Sequence, residues 1–190
     1  ALILGDNLFH GTGLKEKIQE ADQTNNGSVI FAYQVIDPKH YGVVEFDKSE
    51  KVLSIEEKPK NPRSSYAITG LYFFDNTVIE RSQNLKPSKR GELEISSVLN
   101  TYLNDNLLIC KTFGRGMAWL DTGTFDSLHE AGSYIKTLEK RQGLKVGCPE
   151  EIAWRNGWIV DSQLDKISRS LIKSGYGSYL KNLLKKNSRQ

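Results

Sequence analysis

The sequence predicts an α/β domain, built on a mixed but mainly parallel sheet flanked by helices and followed by a helical subdomain. Three observations predict it. The chain opens on an apolar run without alternation, Ala1 to Leu4, the texture of a strand buried on both faces inside a parallel sheet. A helical stripe and a second β-rich run follow, completing a βαβ pattern of the kind that parallel strands need. Beyond about residue 140 every apolar period is helical. The expected division is residues 1–140 for the sheet domain, carrying any substrate or metal site, and 141–190 for the helical subdomain.

Gly5 stops the first run and Asp6 follows at once, just past a strand end, where open α/β sheets meet their ligands. Gly-Asp is also ordinary turn chemistry. Because a central parallel strand needs neighbours on both sides, further chain is expected before Ala1. Leu14, Ile18 and Ala21 recur at helical spacing behind Gly13 and predict a crossover helix over about 13–23, closed by the polar run Gln23 to Gly27. Ser28 to Val35, β-branched and aromatic, is the next strand. Val43 to Phe46 and Val52 to Glu57 read as two hairpin strands, which turn the sheet mixed, before Pro59 and Pro62 break the chain. Tyr66 to Phe74 restores a strand, with Gly70 at its middle where another backbone or a ligand comes close.

From Glu92 the period changes. Ile95, Val98, Leu99, Tyr102 and Leu103 form the stripe of a helix. Leu107 to Phe113 and Met117 to Leu120 are strands, the second ending in Asp121-Thr122-Gly123. Thr124 can cap a long helix striped by Phe125, Leu128, Gly132, Ile135 and Leu138. Helices are then expected over Glu150 to Arg155, Ser162 to Lys173 and Tyr176 to Leu184, the last with Tyr176, Tyr179, Leu180, Leu183 and Leu184 on one face.

With 38% apolar and 26% charged residues the 190-residue chain can build a real core. A formal net charge of +3, much of it in the tail Lys181 to Arg189, is too mild for a nucleic-acid partner. No apolar run approaches the roughly 18 residues of a membrane span. Cys110 and Cys148 lack CxxC spacing, which argues for neither a zinc site nor a disulfide framework and fits a reducing, cytoplasmic compartment. His10, His40 and His129 are scattered and read as structural. There is no Walker loop, HExxH or Gly-x-Ser-x-Gly.

Chemistry concentrates at strand ends. Asp6 and Asp121 each follow an apolar strand beside a glycine, and if both strands are parallel members of one sheet the two carboxylates open onto one crevice. Such a pair suits Mg²⁺, which takes one or two carboxylates plus substrate phosphates. Helix capping or an Asx-turn is the alternative role for Asp121. In Ile55-Glu56-Glu57-Lys58-Pro59 strand alternation sends the two glutamates to opposite faces; a carboxylate there can accept from sugar hydroxyls and Lys58 can neutralise a phosphate, with strand-end ion pairing as the alternative. Arg115 and Arg155 are able to bind phosphate, without a role fixed by spacing.

Taken in order, Leu4-Gly5-Asp6-Asn7, Tyr41 to Phe46, Glu56-Glu57-Lys58-Pro59, Thr69-Gly70-Leu71-Tyr72, Arg90 to Ile95, Trp119 to Gly123 and Arg141 to Lys145 resemble the bacterial sugar-1-phosphate nucleotidyltransferases. The run Arg141 through Ala153 is similar to the glucose-1-phosphate thymidylyltransferase branch. The resemblance covers essentially the whole chain. It implies a Rossmann-like nucleotidyltransferase fold, a Mg²⁺ cofactor and the conversion of dTTP and α-D-glucose 1-phosphate to dTDP-glucose and pyrophosphate. The product would feed dTDP-L-rhamnose synthesis for O-antigen and lipopolysaccharide. By the same resemblance Asp6 and Asp121 hold the metal and Lys58 grips the glucose phosphate. Asn7, Gly42, Glu57, Ile68 and Thr69 line the glucose pocket, with Arg90 and Trp119 at its border; Ile68 stands where the family often has Val. A second, regulatory nucleotide site, with dTDP-rhamnose as a feedback ligand, corresponds to Gly11, Arg115, Gly147, Glu151, Ile152 and Arg155, and a homotetramer is the expected assembly.

One family feature is missing from these residues. The opening of the family pattern, roughly its first hundred residues, carries a glycine-rich Gly-Gly-x-Gly-Thr-Arg-Leu loop that binds the triphosphate and base, and no such loop occurs here. The expectation is that this polypeptide alone does not turn over. Two other functions stay open: a non-catalytic oligomerisation and nucleotide-sensing module, or a nucleotidyltransferase using UTP.

Overall fold

In a computed structural model of the chain, residues 1–24, 26–88 and 90–187 are described. They form a first unit, Ala1–Ala131, and a second from Gly132 onward.

The first unit is organised by β3 (Ser28–Gln34), whose β-branched and aromatic residues are buried almost throughout. On one side β7 (Leu108–Phe113) runs parallel to it, from Ser28 opposite Leu108 to Tyr33 opposite Phe113. On the other lies β6 (Tyr66–Phe74), antiparallel, followed by the hairpin of β4 (Gly42–Phe46) and β5 (Val52–Glu57). The sheet is mixed, yet among the described residues it is mainly antiparallel rather than mainly parallel. The reason is local: β4 and β5 close as a hairpin and β6 returns against β3, leaving β3 and β7 as the one parallel pair. The opening run also differs from expectation. It is only β1 (Leu2–Ile3), antiparallel to β6, and Leu2 and Ile3 are 41% and 57% exposed instead of buried on both faces.

Strand alternation divides the core between the two faces of the sheet. On one, Ile30, Ala32, Val44, Val52, Ile55, Ile68 and Tyr72 meet Leu99 of α3 (Ile95–Asn104). The stripe expected on this helix buries Val98, Leu99 and Tyr102. On the other, Val29, Phe31, Leu71, Phe73 and Phe113 pack with Ala21 of α1 (Leu14–Asp22), and the Phe31 and Phe113 rings stack at 4.9 Å. A six-residue helix, α2 (Val78–Gln83), has no signal in the periodicity. Tertiary contacts hold it, the Arg81 guanidinium lying 4.1 Å over the Tyr102 ring and 2.8 Å from Asp105.

A separate two-stranded sheet pairs β2 (Asn7–Gly11) with β8 (Met117–Asp121), in the register Asn7 opposite Asp121 through Gly11 opposite Met117. Thr124 caps α4 (Phe125–Gln142) as expected, its Oγ1 accepting from the Ser127 N–H at 3.1 Å. The predicted apolar stripe fails in the first turns. Phe125 and Leu128 are 91% and 55% exposed, and the more buried side runs through Ser127, Ala131, Tyr134 and Leu138.

The second unit contains α5 (Pro149–Arg155), α6 (Asp161–Ser170) and α7 (Gly175–Asn187). Cys148, Leu164, Leu180 and Leu183 form its core, with Tyr176, Tyr179 and Leu184 against it. A Cβ on Gly177 would lie 2.3 Å from the Leu171 carbonyl, so only glycine permits α7 to pass so close.

Candidate active site

Asp6 and Asp121 come together, by a route that the local sequence does not spell out. They are not ends of parallel strands in one sheet. Asp121 closes β8, Asp6 immediately precedes β2, and the β2–β8 ladder sets them side by side. The Thr122 N–H and Oγ1–H both donate to the Asp6 carbonyl, at 2.7 and 2.9 Å, which locks the junction. A Cβ built on Gly123 would stand 3.0 Å from Asp121 Oδ1 and 3.9 Å from Asp6 Oδ2, so the two carboxylates face one small space. The Asx-turn weighed for Asp121 is also present, since its Oδ1 accepts from the Gly123 N–H at 2.8 Å. Neither carboxylate has a Lys or Arg within ion-pair reach among the described residues. No cluster of three or more His, Cys, Asp or Glu suited to a metal occurs among those residues. The donor set fits a hard divalent cation that keeps its remaining positions for phosphate oxygens and water.

Both carboxylates border a cavity of about 190 Å³ that also takes in Asn7, Gly42, Glu57, Lys58, Ile68 and Trp119. Glu57 ends β5 opposite Gly42, and a Cβ on Gly42 would be 3.4 Å from Glu57 Oε2, so the glycine leaves room for the carboxylate over the strand. Glu56, on the opposite face as alternation requires, pairs with Arg63 at 3.4 Å. Burial raises the Glu57 pKa, and a hydroxyl hydrogen bond from Ser96 opposes the rise; the Glu94 charge adds to it, while Lys58 and Arg90 counter it. Lys58 is exposed, has no carboxylate within ion-pair reach among the described residues, and adopts φ 42, a left-handed backbone unusual for a non-glycine residue. Its N–H donates to the Tyr41 carbonyl at 3.0 Å, which anchors this bend at the cavity rim.

Thr69 and Arg90 stand back from the cavity lining. Thr69 is fully buried and its Oγ1 donates to the Phe31 carbonyl at 3.1 Å; Arg90 pairs with Glu92 at 3.0 Å and Glu94 at 3.4 Å. Sequence reasoning missed several lining residues: His40, which it read as structural, together with Tyr41, Tyr72, Ile95 and Ser96. Tyr41 packs 5.1 Å from the Trp119 ring, and burial, helped by the Asp121 and Asp37 charges, raises its phenol pKa. Tyr72 is raised further, first by burial and then by the Glu57 and Asp6 charges. The available signal was the position of Tyr41 beside Gly42 and of Ser96 in the first turn of α3, facing β5.

The sequence model of the nucleotidyl transferase family matches residues 1–137. The chain belongs to the nucleotidyl transferase family. It is 55% identical over 187 residues to a glucose-1-phosphate thymidylyltransferase of Mycobacterium tuberculosis, covering 98% of this chain and 65% of that protein. To the protein of that name from Neisseria meningitidis it is 50% identical over 185 residues, covering 97% and 64%. A Bacillus anthracis structure solved in complex with sucrose superimposes with a TM-score of 0.60 at 39% identity, over 70% of this chain and 52% of that one. The chain thus spans just under two thirds of the length of these curated relatives.

The residues matched to the family's regulatory site fall into two groups, one in each unit. In the first unit a Cβ on Gly11 would lie 2.5 Å from the Gly116 carbonyl, which brings Gly11 against the Gly114-Arg115-Gly116 turn. In the second, Gly147 precedes α5, on which Arg155 Nε lies 2.8 Å from Glu151 Oε1, with Ile152 half exposed beside them.

Proposed function

We propose that this chain carries the sugar-phosphate and metal half of a glucose-1-phosphate thymidylyltransferase site. The reaction is attack by a phosphate oxygen of α-D-glucose 1-phosphate on the α-phosphorus of dTTP, in line with the departing pyrophosphate, giving dTDP-glucose. The observation that carries the reading is the β2–β8 pairing, which puts two uncompensated carboxylates beside a free lysine and a half-buried glutamate around one cavity. Lys58 holds the sugar phosphate as a point charge. Glu57 accepts hydrogen bonds from two sugar hydroxyls, and Gly42 and Ile68 shape the wall behind the ring. Trp119, wedged between Tyr33 and Tyr41 at 5.9 and 5.1 Å, closes the rim and excludes water. Asp6 and Asp121 would hold Mg²⁺, which would supply charge neutralisation to the phosphates. No group of the chain is asked to form a covalent intermediate, so the protein's share is positioning and charge neutralisation.

The 190 residues contain no glycine-rich triphosphate loop, and the reading assigns this polypeptide binding without turnover. Feeding of a dTDP-L-rhamnose pathway, a homotetrameric assembly and a regulatory nucleotide site at Gly11, Arg115, Gly147, Glu151, Ile152 and Arg155 belong to the same proposal. Calorimetry tests it: glucose 1-phosphate is expected to bind with an affinity that rises with Mg²⁺, and a coupled pyrophosphate-release assay with dTTP to show no turnover. Binding of dTDP-rhamnose without Mg²⁺-dependent glucose 1-phosphate binding would instead identify a nucleotide-sensing module. Turnover with either nucleotide would overturn the assignment of binding without turnover, and turnover with UTP in preference to dTTP would overturn the base assignment as well.

A further inference from the structure

Two tyrosines about one turn apart on α7 grip two consecutive glutamates on α5. The Tyr176 hydroxyl donates to Glu150 Oε2 and lies 3.0 Å from Cys148 Sγ, and the Tyr179 hydroxyl donates to Glu151 Oε2. The second pair reaches further than the first. Glu151, whose side chain is only 13% exposed, gives its other oxygen to Arg155 Nε at 2.8 Å, while the Arg155 side chain is 57% exposed. A guanidinium held at Nε from the protein side keeps its two terminal amino groups for a partner outside. The Tyr179 oxygen is itself a junction, because it also accepts from the backbone N–H of Lys145. A phenol has one hydrogen to give and lone pairs to receive, so both capacities are in use at once. Burial first, and then the Glu151 hydrogen bond, push the Tyr179 phenol up to about 12, with the Lys145 N–H opposing the rise. At neutral pH the hydroxyl therefore keeps the proton that it donates.

We propose that Tyr179 is a positioning residue for the regulatory nucleotide site, its hydroxyl fixing the Glu151–Arg155 pair to the Lys145–Gly147 segment so that a nucleoside diphosphate sugar meets a preformed face. The inference rests on the regulatory reading above and deepens it by naming the group behind that face. Gly147, Glu151, Ile152 and Arg155, the residues of the second unit matched to the site, all lie on the two stretches of chain that this phenol joins. Without the hydroxyl, Glu151 loses the bond that holds it in place, and the arginine has to be ordered at the ligand's expense. Tyr176 has no such reach: its partner Glu150 has no Lys or Arg within ion-pair distance among the described residues.

The test compares two variants of the whole chain, Tyr179→Phe and Tyr176→Phe. Each removes one oxygen from a ring packed on the core of Cys148, Leu164, Leu180 and Leu183, and each strips a tyrosine from a glutamate, so both are expected to lose some stability. Calorimetry without metal reads dTDP-rhamnose binding. Its affinity is expected to fall at least about tenfold in Tyr179→Phe, the equivalent of one charge-assisted hydrogen bond, and less than about threefold in Tyr176→Phe. In ¹⁵N spectra the Arg155 Nε–H resonance, assigned by Arg155→Lys, should lose its protection from solvent exchange in Tyr179→Phe and keep it in Tyr176→Phe. Equal loss of affinity in the two variants would make the phenol a structural prop and overturn the proposal. Should Tyr179→Phe not fold, the wild-type Arg155 Nε–H decides: slow exchange supports the clamp, and exchange at the free rate overturns it. A wild-type chain that does not bind dTDP-rhamnose overturns the regulatory reading and this proposal with it, whereas wild-type binding that survives undiminished in Tyr179→Phe overturns the proposal alone.

Discussion

Gly70→Ala is the substitution whose cost follows most directly from the geometry. The added Cβ would meet three atoms of the Asn7 carboxamide at 2.6–2.9 Å, a separation that real Cβ atoms do not tolerate, so the amide must leave its seat. Two neutral hydrogen bonds are lost with it, from Gly70 N–H and Trp119 Nε1–H, at about 1 kcal/mol each, and one to the Asp6 carboxylate at about 1.5–3 kcal/mol. Alanine in a strand interior gives back about 0.5–1 kcal/mol relative to glycine. The net loss is about 3 kcal/mol, more than a hundredfold in the opening equilibrium of the sheet. Native-state hydrogen exchange at the β6 and β3 amides reads this unit specifically, whatever the second unit does. Gly132→Ala is the control, because its Cβ would have no atom within 4 Å and lies in a helix, where alanine should add about 0.5–1 kcal/mol. Protection in Gly70→Ala within threefold of wild type would refute the reasoning, since it would show that the Asn7 seat contributes nothing.

Other outcomes follow from the same coordinates. Glu57→Gln should weaken glucose 1-phosphate binding while favouring the fold at neutral pH: burial raises the Glu57 pKa, so its stability contribution is full below the ordinary glutamate value of about 4.3 and is lost as pH rises through the raised one. Denaturation at pH 4 and pH 7 checks the sign, the variant gaining on wild type only at the higher pH. Lys58→Gly relieves a left-handed backbone at φ 42 while deleting the ammonium, so calorimetry should find sugar-phosphate affinity down at least about tenfold with stability held or raised by about 1 kcal/mol. Leu164→Ala, in the core of the second unit with no exposed surface, should destabilise that unit by about 2–5 kcal/mol, as followed by fluorescence of Trp154 and Trp158, and leave β6 exchange unchanged.

Much of this was legible in the residues, for reasons that can be named. Tyr66 to Phe74 is dense in aromatic and β-branched residues and is one strand over its whole expected length. The α3 stripe buries the residues its period selects. Gly70 marked a close approach, expected from another backbone or a ligand, and the approaching group is instead the Asn7 side chain. What failed was long-range. The run Ala1 to Leu4 has the composition of a doubly buried strand, but composition does not say which partner it finds, and it pairs antiparallel with β6. Asn7 to Gly11 carries little strand signal of its own and becomes β2 through its ladder with β8, so the convergence of Asp6 and Asp121 was expected from the wrong geometry. Phe125 and Leu128 kept the helical period while facing away from the buried side, since periodicity fixes a face and not what covers it. At the cavity, Tyr41 and Tyr72 lie in runs that carry the family resemblance but had no site role attached to them, and Ser96 lies just past another; the turn before β4, β6 and α3 bring them to the lining.

The central claim is that the Asp6–Asp121 pair and the Glu57–Lys58 strand end serve one bound sugar phosphate. Mn²⁺-induced relaxation of the ³¹P signal of glucose 1-phosphate measures it directly, because the effect needs metal and phosphate bound close together on the same chain. The account predicts strong broadening with the wild-type chain, abolished in Asp121→Asn and in Lys58→Ala. Glucose 1-phosphate that binds the wild-type chain with no Mn²⁺ broadening of its phosphorus would contradict it.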